Sequence, residues 1–173
     1  MCPLISKLHI IGFMGSGKST LASLAAQHWD LPCYDSDQLL SLDLKIDAGE
    51  QLAGNPGAFR QREAQVAAQL IQLDKGVVAL GGGAIENRTT MAHLQGKPVL
   101  LLDPGVDICW QRVRSHSQHR PLATDYHAFV ALYNKRLPMY TSVCRWQLSD
   151  NLPPDMLLQK LESIIQLDIT PRN

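Results

Sequence analysis

"HIIGFMGSGKST", His9–Thr20, joins an apolar run to a glycine-rich turn, then to a lysine and two hydroxyls. Within it, Gly12-Phe-Met-Gly15-Ser16-Gly17-Lys18-Ser19 fits the pattern G-x-x-x-x-G-K-[ST], placed after a strand and before a helix as that pattern requires. Glycines reach positive φ at little cost, so backbone N–H groups can turn inward around phosphate oxygens. The start of the helix adds the positive end of its dipole. Lys18 is expected to reach the β- and γ-phosphates and Ser19 to ligate Mg²⁺, with Gly15, Ser16, Gly17 and Thr20 completing the ATP-binding set. The loop names the donor only, because GTPases, motor ATPases and nucleotide kinases all carry it.

Outward from the loop, apolar runs suited to buried parallel strands alternate with helical patterns. Leu8–Gly12 reads as the first strand and Lys18–Trp29 as a helix, followed by a short strand at Leu31–Asp35 and a helix over Leu39–Asp47. Ala48–Gly57 reads as loose, Phe59–Leu73 as helix, and Gly76–Leu80 as a strand entering the glycine run Gly81–Gly83. Val99–Asp103 is a further strand, with a helix after Pro104. Tyr126–Cys144 reads as a helix bent at Pro138, Arg145–Asp150 as a last strand, and Asp155–Leu167 as a final helix. This alternation predicts a three-layer α/β domain with a mostly parallel sheet, and the 173 residues are expected to form one domain.

Composition narrows the class. Apolar residues make up 45% and charged residues 18%, which excludes a disordered chain. Lys plus Arg and Asp plus Glu number 16 each, so net charge gives no pull toward nucleic acid or an anionic membrane. Cys2, Cys33, Cys109 and Cys144 form no CxxC pair and read as free thiols of a reducing compartment. With no signal-peptide pattern and no apolar run of spanning length, a cytoplasmic protein is expected. Trp29, Trp110 and Trp146 read as packing residues.

The chemistry beyond the loop rests on carboxylates and arginines. Asp35 and Asp37 follow the second strand, at the carboxyl end of the sheet where open α/β folds bind ligands. Their spacing lets one face a metal and the other a second substrate, although a D-x-D alone also describes a solvated turn. Asp103, followed by Pro104-Gly105, reads as a cap or turn residue instead of a metal ligand. Arg60 and Glu63 share one face of a helix. Arg136 lies in "NKRLPMY", and Arg120 in a polar stretch, Ser115–Asp125, that reads as a lid. Each arginine taken singly is compatible with a surface position; together they suit carboxylate or phosphate, which the guanidinium fork binds through two parallel hydrogen bonds.

With "GFMGSGKST", "DSD" (35–37), "FRQRE" (59–63), "LGGGA" (80–84), "RPL" (120–122) and "KRLPMY" (135–140) in order, the chain resembles the shikimate kinase family. The resemblance implies a nucleoside-monophosphate-kinase-like α/β/α fold with a five-stranded parallel sheet, a lid near 115–125 and an acceptor-binding region near 36–63. It implies Asp37 as the residue that holds the acceptor's hydroxyls and orients or deprotonates the attacking one. Arg60, Arg136 and the Gly82 backbone would hold the shikimate carboxylate, with Glu63 supporting Arg60 or touching the substrate. Asp35 would join Ser19 at Mg²⁺, Arg120 would reach the transferring phosphate, and Arg112 or Arg114 would lie near the adenine with 149–154 as its other wall. The implied reaction moves phosphate from ATP to the 3-hydroxyl of shikimate. The expected partners are these two small molecules, with neither nucleic acid nor membrane, and the expected state is a monomer. The family pattern departs at "LLSLDL" and "NPGAFR", which flank the acceptor region. A gluconate-type small-acid kinase and a nucleotide-binding module without turnover are the alternatives.

Overall fold

The computed structural model describes residues 5–44, 55–115 and 125–169. Five strands form one sheet: β1 (Lys7–Ile11), β2 (Cys33–Asp35), β3 (Gly76–Ala79), β4 (Val99–Leu102) and β5 (Trp146–Leu148). All the pairings are parallel and the order is β2-β3-β1-β4-β5, with Ile10 opposite both Ala79 and Leu100. The expected five-stranded parallel α/β/α architecture is what forms.

Among the described residues the helices are α1 (Lys18–Trp29), α2 (Ser36–Leu44), α3 (Pro56–Gln72), α4 (Arg88–Leu94), α5 (Val106–Ser115), α6 (Tyr126–Val143) and α7 (Pro154–Ile169), with a 3₁₀ turn at Ala84–Glu86. Side chains alternate across the sheet with period two, which splits the core into two layers. Leu8, Ile10, Val77 and Ala79 point to the face covered by α1 and α7 through Leu21, Trp29, Leu161 and Ile165. Ile11, Val78, Leu80 and Leu101 face the other layer, with Phe59 and Ile71 of α3 and Phe129 and Tyr140 of α6.

Two helix starts differ by more than one residue from the pattern-based expectation, and capping explains both. The Asp35 Oδ1 accepts the N–H groups of Asp37 and Gln38 at 2.9 and 3.2 Å, so α2 begins at Ser36, not at Leu39. Asn55 accepts from the Ala58 N–H at 3.1 Å and Pro56 takes the first helical position, so α3 begins before Phe59. Helix α4 was not expected: it is seven residues long, and Asn87 caps it by accepting from the Thr89 and Thr90 N–H groups. Helix α6 continues through Pro138. Most of the stretch read as loose, 48–57, and most of the lid, 115–125, lie outside the described residues, as does Cys2.

Candidate active site

Three segments leave neighbouring strands at their carboxyl ends and meet there. The glycine loop follows β1, the Asp35–Asp37 segment ends β2, and Gly81–Gly83 follows β3. In the loop, Gly15 and Gly17 have φ of 79° and 99°, the left-handed region that other residues adopt at a cost. Gly17 sits at the N-cap of α1 and no side chain caps that helix, which leaves its first N–H groups directed at the loop's hollow. Lys18 is buried and folds back so that Nζ donates to the Phe13 carbonyl at 3.0 Å. The Ser16 hydroxyl is buried with no hydrogen-bond partner among the described residues. An uncapped helix start, inward glycines and a lysine form a phosphate cradle.

The glycine run is held from both sides. The Gly81 N–H donates to Ser36 Oγ at 2.7 Å, and the Tyr140 hydroxyl donates to the Gly82 carbonyl at 2.6 Å. A Cβ on Gly81 would overlap the Asp37 carboxylate, and one on Gly83 would overlap the Arg60 guanidinium. A larger residue at either position would push the Asp37 or Arg60 side chain aside. The structure thus brings Asp37, Arg60 and Glu63 against the glycine run.

Arg60 Nη1 donates to Glu63 Oε2 at 2.5 Å, an i,i+3 pair on α3. Glu63 is buried, and burial pushes its carboxyl upward; the neighbouring Asp37 adds to this while Arg60 and Arg136 oppose it. Arg136 is only 2% exposed, lies over the Phe13 ring at 5.8 Å, and donates through Nη2 to Glu86 Oε2 at 2.8 Å. Its Nε is buried with no partner among the described residues. For Glu86, partial burial works to raise the carboxyl, but hydrogen bonds from Lys135 and Arg136 outweigh it and hold the group below its ordinary value.

Arg112 and Arg114 separate clearly. Arg112 donates to the Gly15 and Ser16 carbonyls at 3.4 and 2.9 Å and to Asn151 Oδ1 at 2.8 Å, whereas Arg114 stacks on Trp110 at 5.7 Å. Asp103 Oδ1 accepts the Gly105 N–H at 3.3 Å and the Tyr133 hydroxyl at 2.7 Å, the turn-locking role read from Pro104-Gly105. Arg120 lies outside the described residues. A cavity of about 370 Å³ is lined by the phosphate loop and first turn of α1, by Asp37 and Gly82, and by Arg112, Leu152 and Pro154.

For a metal, Ser19 is exposed in the first turn of α1 and Asp35 is held at the end of β2. Both are hard oxygen donors of the kind Mg²⁺ takes alongside phosphate oxygens and water. Among the described residues no group of three or more His, Cys, Asp or Glu side chains forms a metal cluster. The Ser19 and Asp35 oxygens have the donor chemistry of a nucleotide-borne Mg²⁺.

Ser36, Tyr140 and Glu86 enter the site without having been singled out from the sequence. Ser36 sits between the two aspartates and Tyr140 inside "KRLPMY", so motif membership was the only signal for them. Glu86 had none, since its partners lie 49 and 50 residues away.

A parallel sheet of this order, a phosphate loop after β1 and an acidic and cationic site facing it define a P-loop phosphotransferase. The family model for shikimate kinase matches residues 14–166. Shikimate kinase of Burkholderia thailandensis is 35% identical over 164 residues, covering 88% of each chain. That of Saccharopolyspora erythraea is 32% identical, covering 92% of this chain and 93% of its own. The shikimate kinase of Acinetobacter baumannii, solved in complex with shikimate, superposes with a TM-score of 0.89 over 96% of each chain at 24% identity, a likeness of fold. The chain belongs to the shikimate kinase family.

Proposed function

We propose that this protein transfers the γ-phosphoryl group of ATP to the 3-hydroxyl of shikimate, giving shikimate 3-phosphate and ADP. One observation carries the reading: a single cavity is lined both by the phosphate loop and by Asp37 and Gly82 of the acceptor side. Phosphoryl transfer depends on positioning and charge neutralisation more than on covalent help from the protein.

In this reading Lys18 and the N–H groups of the loop hold the β- and γ-phosphates, and Ser19 and Asp35 would hold Mg²⁺, which neutralises phosphate charge when bound. Arg136 and Arg60, with the Gly82 backbone, take the acceptor's carboxylate. Glu63 keeps Arg60 aimed by their 2.5 Å ion pair. Asp37 accepts a hydrogen bond from the attacking hydroxyl. As the new O–P bond forms, the bond from the γ-phosphorus to the bridging oxygen breaks, ADP leaves with that electron pair, and the hydroxyl proton passes to Asp37. Arg120, from the segment near 115–125, is assigned to the transferring phosphoryl group. Arg112 is assigned to the adenine side together with Pro154, because it alone of the two candidate arginines lines the cavity.

Among the described residues no helix is long and apolar enough to cross a membrane. With free thiols at Cys33, Cys109 and Cys144 and a need for ATP, we place the protein in the cytoplasm, acting as a monomer on small molecules. The test is ADP release from Mg·ATP with shikimate, with gluconate and with neither. Turnover that requires shikimate supports the assignment. A faster rate on gluconate would transfer it to a different hydroxy acid, and nucleotide binding without acceptor-dependent turnover would reduce the protein to a binding module.

A further inference from the structure

The acceptor side already contains a carboxylate of its own. Glu86 closes the 3₁₀ turn after the glycine run, and its Oε2 lies 2.8 Å from Arg136 Nη2 and 4.0 Å from Arg60 Nη2. One oxygen within ion-pair reach of both guanidinium groups stands where an incoming carboxylate would bridge them. Its other oxygen, Oε1, accepts from Lys135 Nζ at 2.6 Å.

The three cations are not equivalent. Arg60 has its own partner in Glu63 on the same helix. Lys135 has 61% of its side chain exposed and is hydrated with or without a partner, whereas Arg136 is 2% exposed. A buried guanidinium without a counter-charge is strongly disfavoured. In the free protein Glu86 supplies that counter-charge; in the complex a bound carboxylate would supply it instead.

We infer that Glu86 is an affinity- and specificity-setting residue, an internal competitor that yields Arg136 to the acceptor's carboxylate and remains held by Lys135. This role rests on the acceptor-site assignment proposed above. It discriminates by charge. A hydroxy acid offers Arg136 a replacement carboxylate, while an uncharged cyclic polyol offers none and leaves Glu86 in place. Lys135 is then the parking partner that makes the exchange inexpensive.

Glu86→Gln keeps the shape and removes the charge. Calorimetric shikimate binding should tighten about fivefold, the effect of losing one partly exposed competing charge. KM for shikimate should fall in parallel, with kcat within about twofold. Lys135→Met should act in the opposite direction, weakening shikimate binding about threefold because Glu86 is left on Arg136 alone. In the Glu86→Gln background the Lys135 substitution should change nothing. If Glu86 merely orients Arg136, Glu86→Gln weakens shikimate binding instead, and that result overturns the inference. An equal Lys135→Met effect in both backgrounds also overturns it. Should Glu86→Gln fail to fold, Glu86→Asp, whose shorter side chain draws the charge back from Arg136, must tighten binding in the same sense. A parent protein that binds no shikimate overturns the acceptor assignment itself and this role with it, whereas a parent that binds shikimate without turning it over leaves the binding comparison intact.

Discussion

Replacing Gly81 by alanine should separate folding from chemistry at this site. The Gly81 backbone is not in the left-handed region, so alanine brings no backbone strain. The added Cβ would instead overlap Asp37 Oδ1 and come to 3.1 Å from its Cγ. Ordinary carbon contacts begin near 3.5 Å, so the carboxylate must retreat by about 1 Å. Asp37 is exposed, which makes the retreat inexpensive for the fold. A reacting group displaced by that distance costs about 100-fold in rate. Gly81→Ala is therefore expected to unfold within about 1 kcal/mol of the parent, to bind ATP normally, and to lose about two orders of magnitude in kcat. Thermal melting, nucleotide titration and a coupled ADP assay on one preparation read all three. A kcat within threefold of the parent would refute the placement of Asp37 at the reacting hydroxyl.

Three further outcomes follow from the same geometry. Arg136→Met should weaken shikimate binding by about 1.5–3 kcal/mol, the loss of a charge-assisted hydrogen bond, with ATP affinity retained; calorimetry reads it, and an unchanged shikimate dissociation constant rejects the role. Asp37→Asn should abolish most of kcat while nucleotide binding survives, so near-normal turnover refutes proton acceptance by Asp37. His9 is fully buried in β1, and burial, with Lys7 and Lys97 nearby, pushes its imidazole down to about 4 against the partial opposition of a hydrogen bond with the Pro98 carbonyl. Because the unfolded chain takes up this proton more readily than the folded one, stability should fall as pH drops through the window from about 6.5 to 4, by about 3 kcal/mol in total. His9→Gln should flatten that part of the denaturation profile, and identical pH slopes for the two proteins would contradict the argument.

The phosphate loop was legible because its chemistry is local: glycine spacing and a following lysine dictate the turn wherever they stand. The two-layer core was legible for a similar reason, since the apolar runs of β1, β3 and β4 are buried on both faces. Strand order was not, because no local pattern states that β1 lies between β3 and β4. The start of α2 at Ser36 was hidden in a side-chain hydrogen bond from Asp35, which outweighs the weak apolar periodicity of Gln38–Leu44. Arg60 and Glu63 could be paired by helical spacing alone, but the acceptor role of Arg136 rested on family resemblance. Nothing in its neighbourhood along the chain announces that it lies buried over Phe13, more than a hundred residues away. Glu86 was invisible for the same cause: its meaning comes from α6 returning across the glycine run.

Whether one cavity joins a phosphate donor to a hydroxy-acid acceptor can be read from ³¹P NMR of the reaction mixture. With Mg·ATP and shikimate, loss of the γ-phosphate signal should be matched mole for mole by a phosphomonoester whose phosphorus couples to the ring proton at carbon 3. Release of inorganic phosphate alone, or a spectrum unchanged by shikimate, would contradict it.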